Sequence, residues 1–378
     1  MIKSFTAVTR EIDDAEVAVE EILAALEPQK NLLKNSMGII SCYSEFIETG
    51  VLKAVCDALP FGCVGATTSI ASAGKETDRM MLTLTVLTSD DCSFETVKLP
   101  LTENVGSPLV PLLDRGGEKP SLILGYFPML STMCGDELIE GIDKVTGGIP
   151  IYGTTAIDHN MDFSTAQTIH NGEAFRDAVA LGLIYGNVNY SFGVASLNDE
   201  KIRKQKAVIT EAKDNVIISI NDKTAYDYLI EIGITKADID AGTAIIPFVI
   251  DHKGGTKPIA RGVLALTPEG YAVCGGGVNK DMTLAVGRVD MDDVLSTTEA
   301  LLKPLAGKEG VILSYSCIAR YLALGTKYTA EADKVIEVCK DMQYLYVCAG
   351  GEICPLPDEN GKLKNYYHNY TNVFCKLS

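Results

Sequence analysis

The sequence predicts an α/β fold, two closely packed domains whose mixed sheets are covered by helices. Three observations lead there. Amphipathic helical stretches alternate with short apolar strands. A phrase of helix, apolar strand and Gly/Thr-rich turn occurs twice, in "FGCVGATTSIASAG" and again in "IPIYGTTAIDHN". Hairpin turns follow, the clearest at Asn171-Gly172. At 378 residues the chain exceeds the size at which one core stops growing, and 47% apolar with 22% charged residues is ordinary globular usage.

Residues 13–30 carry Val17, Val19, Ile22, Leu23 and Leu26 near helical spacing, with Asp13 or Asp14 as a cap. "SMGIISCY" reads as a buried strand, "SEFIETGVLKAVCDALP" as a helix stopped by Pro60, and 61–74 as a small-residue loop. "MMLTLTVLTSD" and "SLILGYFPML" are strands, and "CGDELIEGIDKVTGG" is a helix leading to "IPIYGTT". Turns at Asn171-Gly172 and at Lys213-Asp214-Asn215 each sit between alternating runs, which predicts antiparallel pairs. A boundary near Asn221 divides the chain into domains 31–221 and 222–378. The second domain holds a helix after Asn221, the strand "TAIIPFVI", a hairpin turned at 267–270, and the helices "DVLSTTEALLKPLAG" and "EADKVIEVCKDM". With no Gly/Ser linker between them, the halves pack closely.

Charge and cysteine usage exclude whole classes of function. A net charge of −17 opposes a nucleic-acid backbone, and the basic cluster "KIRKQK" (201–206) is short and reads as a solvated loop or edge strand. Eleven cysteines, an odd number without a C-x-x-C, read as reduced thiols. With no export signal and no apolar run long enough to span a bilayer, the expectation is a cytoplasmic protein without a membrane partner.

Phosphate-loop, zinc-protease, hydrolase-elbow and kinase signatures are missing. "CGGGVN" (274–279) ends a hairpin strand instead of opening a helix, so its glycines mark a tight turn or a close backbone approach. His159, His170, His252 and His368 never pair at ligand spacing, and neither a metal nor a cofactor is implied. His368 stands out because "YYHNYTNV" places it at the start of the last buried strand. In "GVILSYSCIARYLALG" (310–325), Cys317 ends an apolar strand and Arg320 follows three residues later.

Those segments carry a resemblance. "ILSYSCIAR", "YVCAGGEICP" and "YHNYTNV", in that order, together with "FGCVGATTS" and "IPIYGTTAIDHN", resemble the FIST family, the F-box and intracellular signal transduction proteins. The likeness runs from about Asn31 to the end, and it departs from the family pattern at Thr67-Thr68 and Thr154-Thr155. It implies FIST N and FIST C domains forming a free-standing sensory module for a small ligand such as an amino acid, read out by a separate signalling protein. On that reading Arg320 and Glu352 meet the two charged ends of the ligand, Asp158 and Asn369 add polar groups, Cys63 and Cys317 line the wall, and Gly153 and His368 complete the site. The competing internal arrangement pairs Arg320 with Glu352. An enzyme is the alternative, with Cys317 as nucleophile, His368 as base and Asn369 orienting it. A third option is an interaction protein whose acidic face binds a basic partner.

Overall fold

The computed structural model describes residues 1–102, 105–113, 118–130, 133–240, 246–251, 257–307 and 309–378. His252 and the first residues of the strand expected over 243–250 lie outside them.

The chain opens with β1 (Lys3–Thr9) and helix α1 (Ala15–Leu26), whose Asp14 side chain caps the amides of Glu16 and Val17. After the short α2 (Pro28–Asn31) comes β2 (Asn35–Cys42), nearly all of it buried. Its neighbour β3 (Cys63–Thr67) runs parallel to it, a pairing that needs a crossover, supplied by α3 (Glu45–Glu48) and α4 (Val51–Asp57). The hairpin β4 (Ala71–Ala73) and β5 (Glu76–Asp78) follows, and β6 (Leu82–Ser89) returns antiparallel to β2. The loop expected over 61–74 is therefore largely strand: small residues here let sheets approach closely instead of freeing the chain.

The same unit is built again from β7 (Ser93–Pro100), β8 (Leu122–Phe127), α5 (Gly135–Thr146), β9 (Ile151–Thr155), the hairpin β10 (Thr168–His170) and β11 (Glu173–Phe175), and β12 (Ala178–Tyr185). A third unit begins at β13 (Tyr190–Ala195), and a separate sheet is then inserted into it. The insertion runs β14 (Ile202–Lys213), β15 (Val216–Ile220), β16 (Lys223–Thr224), α6 (Ala225–Glu231), α7 (Lys236–Asp240), β17 (Phe248–Asp251), β18 (Ile259–Arg261), β19 (Val263–Leu266), β20 (Ala272–Cys274) and β21 (Thr283–Gly287). The third unit resumes with α8 (Met291–Leu302), β22 (Val311–Cys317), α9 (Ile318–Leu324), α10 (Ala330–Val338), β23 (Gln343–Ala349), the hairpin β24 (Gly351–Pro357) and β25 (Leu363–His368), and β26 (Asn372–Leu377).

Each unit's hairpin leaves its own sheet. That of the first unit pairs with β23, that of the second with β3, and that of the third with β9, so the hairpins are exchanged in a ring. The resulting sheets share one order: β1-β6-β2-β3-β10-β11, β7-β12-β8-β9-β24-β25 and β13-β26-β22-β23-β4-β5. Strands from either side of Asn221 thus share two of them, and Asn221 itself lies between β15 and β16 inside the inserted sheet. All of the "KIRKQK" cluster but Lys201, which pairs with Asp290, falls within β14, which joins β21 on one side to β15 on the other and holds Arg203, Lys204 and Lys206 outward.

Met37 and Val64, Leu124 and Tyr152, and Leu313 and Val347 bring the inner faces of the three sheets into one core. Burying a side chain of this size contributes about 1.5–3 kcal/mol. Helices α1 and α4, α5, and α8 with α10 cover the three outer faces. The tyrosines inside are satisfied: Tyr126 and Tyr315 share a 2.8 Å hydrogen bond, and the Tyr152 hydroxyl donates to the Leu313 and Val373 carbonyls. The parallel strands β3, β9 and β23 end together, where the Ile157 amide donates to Thr67 O and the Gly350 amide to Thr155 O.

Gly153 has its role here. A Cβ at this position would stand 1.7 Å from Gly125 O across the β8–β9 pair, and Gly65 meets Ile40 O in the same way between β2 and β3. A Gly153→Ala substitution is therefore expected to cost about 1–3 kcal/mol by forcing two strands apart. Urea unfolding checks this, and an unchanged midpoint would remove Gly153 from the packing.

Candidate functional site

The exchanged hairpin β24–β25 lies beside the inserted sheet and brings Glu352 and His368 directly opposite one another across the strand pair. Cys317 ends β22, where its amide donates to Thr371 O (2.9 Å), and the Thr371 hydroxyl donates to Glu352 Oε2 (2.7 Å). The Cys317 thiol stands against the same carboxyl. No other side chain or amide among the described residues reaches Glu352 Oε1. Burial holds the Glu352 carboxyl well above the usual carboxylate range, against the pull of Thr371, so its protonated form is favoured. Burial first, and the Glu352 carboxyl second, raise the Cys317 thiol.

His368 is 2% exposed, and its Nε2 lies 2.9 Å from Cys354 O. A carbonyl can only accept, so Nε2 carries the proton and Nδ1 is left as an acceptor. Burial lowers the imidazole to about 4, with the Arg261 charge adding to the effect, and the ring is neutral at physiological pH. Asn369 does not orient this ring. Its Nδ2 donates to His368 O and its Oδ1 accepts from the Gly262 amide (3.2 Å), fastening the third unit to the insertion. Among the described residues no hydrogen bond joins His368 to Cys317, so the expected Cys/His/Asn arrangement is not assembled: β25 ends at His368 and turns the next side chain elsewhere.

Arg320 is fully buried and faces inward. Its Nε and Nη2 donate to Glu331 Oε1 (3.0 and 2.8 Å), and Nη2 also reaches Val294 O and the Thr298 hydroxyl. Glu331, not Glu352, is the partner, which corrects the internal pair expected from the sequence. Ser316, Thr298 and Asn372 surround the same carboxylate. Burial alone would raise Glu331, but the Arg320 charge and these hydrogen bonds hold it below its ordinary value.

The remaining expected residues lie apart. Asp158 follows β9 and ties its own loop, accepting from the Phe163 and Thr165 amides. Cys63 begins β3 and lines a different cleft. Arg261 was not singled out by sequence: it is fully buried and binds Asp136 on α5 (2.8 Å), Tyr367 O (2.7 Å) and Gly277 O (3.3 Å). A Cβ on Gly276 would collide with that guanidinium, which bears out the close backbone approach expected of "CGGGVN".

A cleft of about 420 Å³ separates the inserted sheet from the third unit. His368 and Thr371 belong to its wall, and Val194, Leu197, Ile259 and Leu356 make much of it apolar. Among the described lining residues Lys257 is the one lysine or arginine and Asp199 the one carboxylate, both exposed. Small-molecule sites have this size and mixture. Sequence reasoning missed Lys257, Asp199 and Thr371 as cleft residues; "YHNYTNV" contained Thr371, whereas nothing local marks the other two.

Family models match most of the chain. The FIST N domain matches residues 36–223 and the FIST C domain residues 224–355. No curated protein matches the sequence. A crystal structure of cyanuic acid hydrolase from A. caulinodans is similar over 100% of this chain and 99% of that one, at 8% identity and a TM-score of 0.41.

Proposed function

The chain belongs to the FIST family, whose domains are sensory modules of signalling, and from that premise we propose that the cleft between the inserted sheet and the third unit binds a small metabolite, an amino acid or a close relative. The observation that carries this reading is the lining, which among the described residues brings a lysine, a carboxylate, apolar walls and a neutral histidine into a single cleft. Lys257 meets the ligand's carboxylate, Asp199 its ammonium, and the aliphatic walls its side chain. His368 Nδ1 accepts a hydrogen bond. Cys317 and Glu352 lie behind Thr371 and support that wall, while Arg320, committed to Glu331, acts from further back. Because the ligand sits between the insertion and the third unit, occupancy biases their relative placement, which a separate signalling protein reads. This reading places the protein in the cytoplasm, where its eleven cysteines stay reduced. Among the described residues no helix is long and apolar enough to cross a membrane.

The test is a thermal-shift screen against amino acids, small carboxylates and nucleotides, with Lys257→Ala and Asp199→Ala in parallel. A ligand at about 100 times its dissociation constant stabilises by about 2.7 kcal/mol. The expected result is a shift with amino acids that both variants weaken. No shift with any compound, or one indifferent to both substitutions, would sink the assignment.

A further inference from the structure

A second cleft, of about 410 Å³, opens on the first unit between the last turn of α4 and the start of β3. Its lining includes two cysteines. Cys56 ends the buried face of α4 and Cys63 is the first residue of β3, and the two thiols line the same cleft close enough to interact. Backbone contacts hold them there. The Leu59 amide closes a turn on Cys56 O (3.2 Å), the Gly38 amide binds Gly62 O (2.9 Å), and the Cys63 amide donates to Asn171 Oδ1 (2.9 Å) from the exchanged hairpin. Gly38 leaves the Cys63 sulfur its space, since a Cβ there would come within 2.5 Å of Sγ. Neither thiol takes part in the ligand cleft.

We propose that Cys56 and Cys63 are a modification site that forms an intramolecular disulfide when the protein meets a peroxide. Cys56 reacts first because it is the more exposed, 8% against 1%. Its thiolate attacks one peroxide oxygen, the O–O bond breaks, and hydroxide leaves to become water, giving a sulfenic acid at Cys56. The Cys63 sulfur then attacks the Cys56 sulfur, the S–O bond breaks, and a second water departs with the Cys63 proton. Two thiols and one hydrogen peroxide give one disulfide and two waters. The new bond fastens α4 to β3 across the 57–62 connection.

Both cysteines fall in one tryptic peptide, residues 54–75, between Lys53 and Lys75. Full-length protein treated with hydrogen peroxide, denatured, alkylated and digested should yield that peptide lighter by two hydrogens and unalkylated, with both thiols recovered after dithiothreitol. In Cys56→Ser, Cys63 should remain alkylatable after the same treatment. Cys134, partly exposed, is the internal control for peroxide action. The proposal is overturned if Cys134 is oxidised while peptide 54–75 still takes two alkyl groups, or if Cys56 and Cys63 gain oxygen separately.

Discussion

An Arg320→Ala protein is expected to lose about 3–5 kcal/mol of folding stability, because the substitution leaves the Glu331 carboxylate buried without its counter-charge. Neither partner is solvent-exposed, and the hydroxyls of Thr298 and Ser316 and the Asn372 amide are all arranged around the ionised carboxylate. Glu331→Ala should cost a similar amount by stranding the guanidinium. The double variant Arg320→Ala/Glu331→Ala removes both charges together and should cost less than the two single losses combined, so the two single costs will not add. Urea unfolding of the four proteins gives the cycle. Additive costs would mean that the two side chains do not act as a pair. For the same reason a lost ligand response in Arg320→Ala would be no sign of a ligand contact, and Lys257→Ala is the sharper probe.

The second large effect is on pH dependence. An unfolded histidine takes up a proton near pH 6.5, whereas folded His368 waits until about 4. Between those values the unfolded chain holds more protons, so the histidine makes stability fall as pH falls, by about 3 kcal/mol across the window. Glu352 opposes it: its folded carboxyl is protonated above the ordinary carboxylate value, so in that range its contribution rises as pH falls. Glu331, held low by Arg320, contributes stability at neutral pH that is lost only as pH falls through and below the ordinary carboxylate range. The wild-type curve mixes all three. Subtracting the stability curve of His368→Gln from that of wild type isolates the histidine, and the difference should shrink steadily from pH 6.5 to 4. A flat difference would mean that His368 titrates normally and is not enclosed.

The two reach the candidate site differently. Arg320 and Glu331 stiffen the junction of β22, α9 and α10 behind the cleft, whereas His368 belongs to its wall. A ligand that donates to Nδ1 should bind with little pH dependence from His368 above about pH 5, because the ring is neutral throughout that range.

Much of this architecture was legible in the sequence. The cap at Asp14, the buried run of β2, the turn at Asn171-Gly172 and the helix at α8 follow from local chemistry, since capping, periodicity and turn preference act over a few residues. The repeated phrase ending in "GATTS" and "GTTAI" marked the first two units. The third escaped notice because the inserted sheet separates β13 from β22 and because "CAGGE" stands where the others carry threonines. Family membership was also readable, from short motifs in a fixed order.

What only the tertiary structure decided is which side chains face one another. Arg320 finds Glu331 because α9 and α10 fold back over β22, an arrangement that spacing along the chain does not encode. The exchange of hairpins sets Glu352 and His368 beside the inserted sheet instead of inside the sheet of their own unit, while Cys63 and Cys317 sit on strands of two different sheets. Lys257 and Asp199 line one cleft formed by elements far apart in sequence. Local propensity fixes an element within a few residues, but partners across a sheet or a cleft are selected by the free energy of burying whole faces together, and no single segment contains that sum.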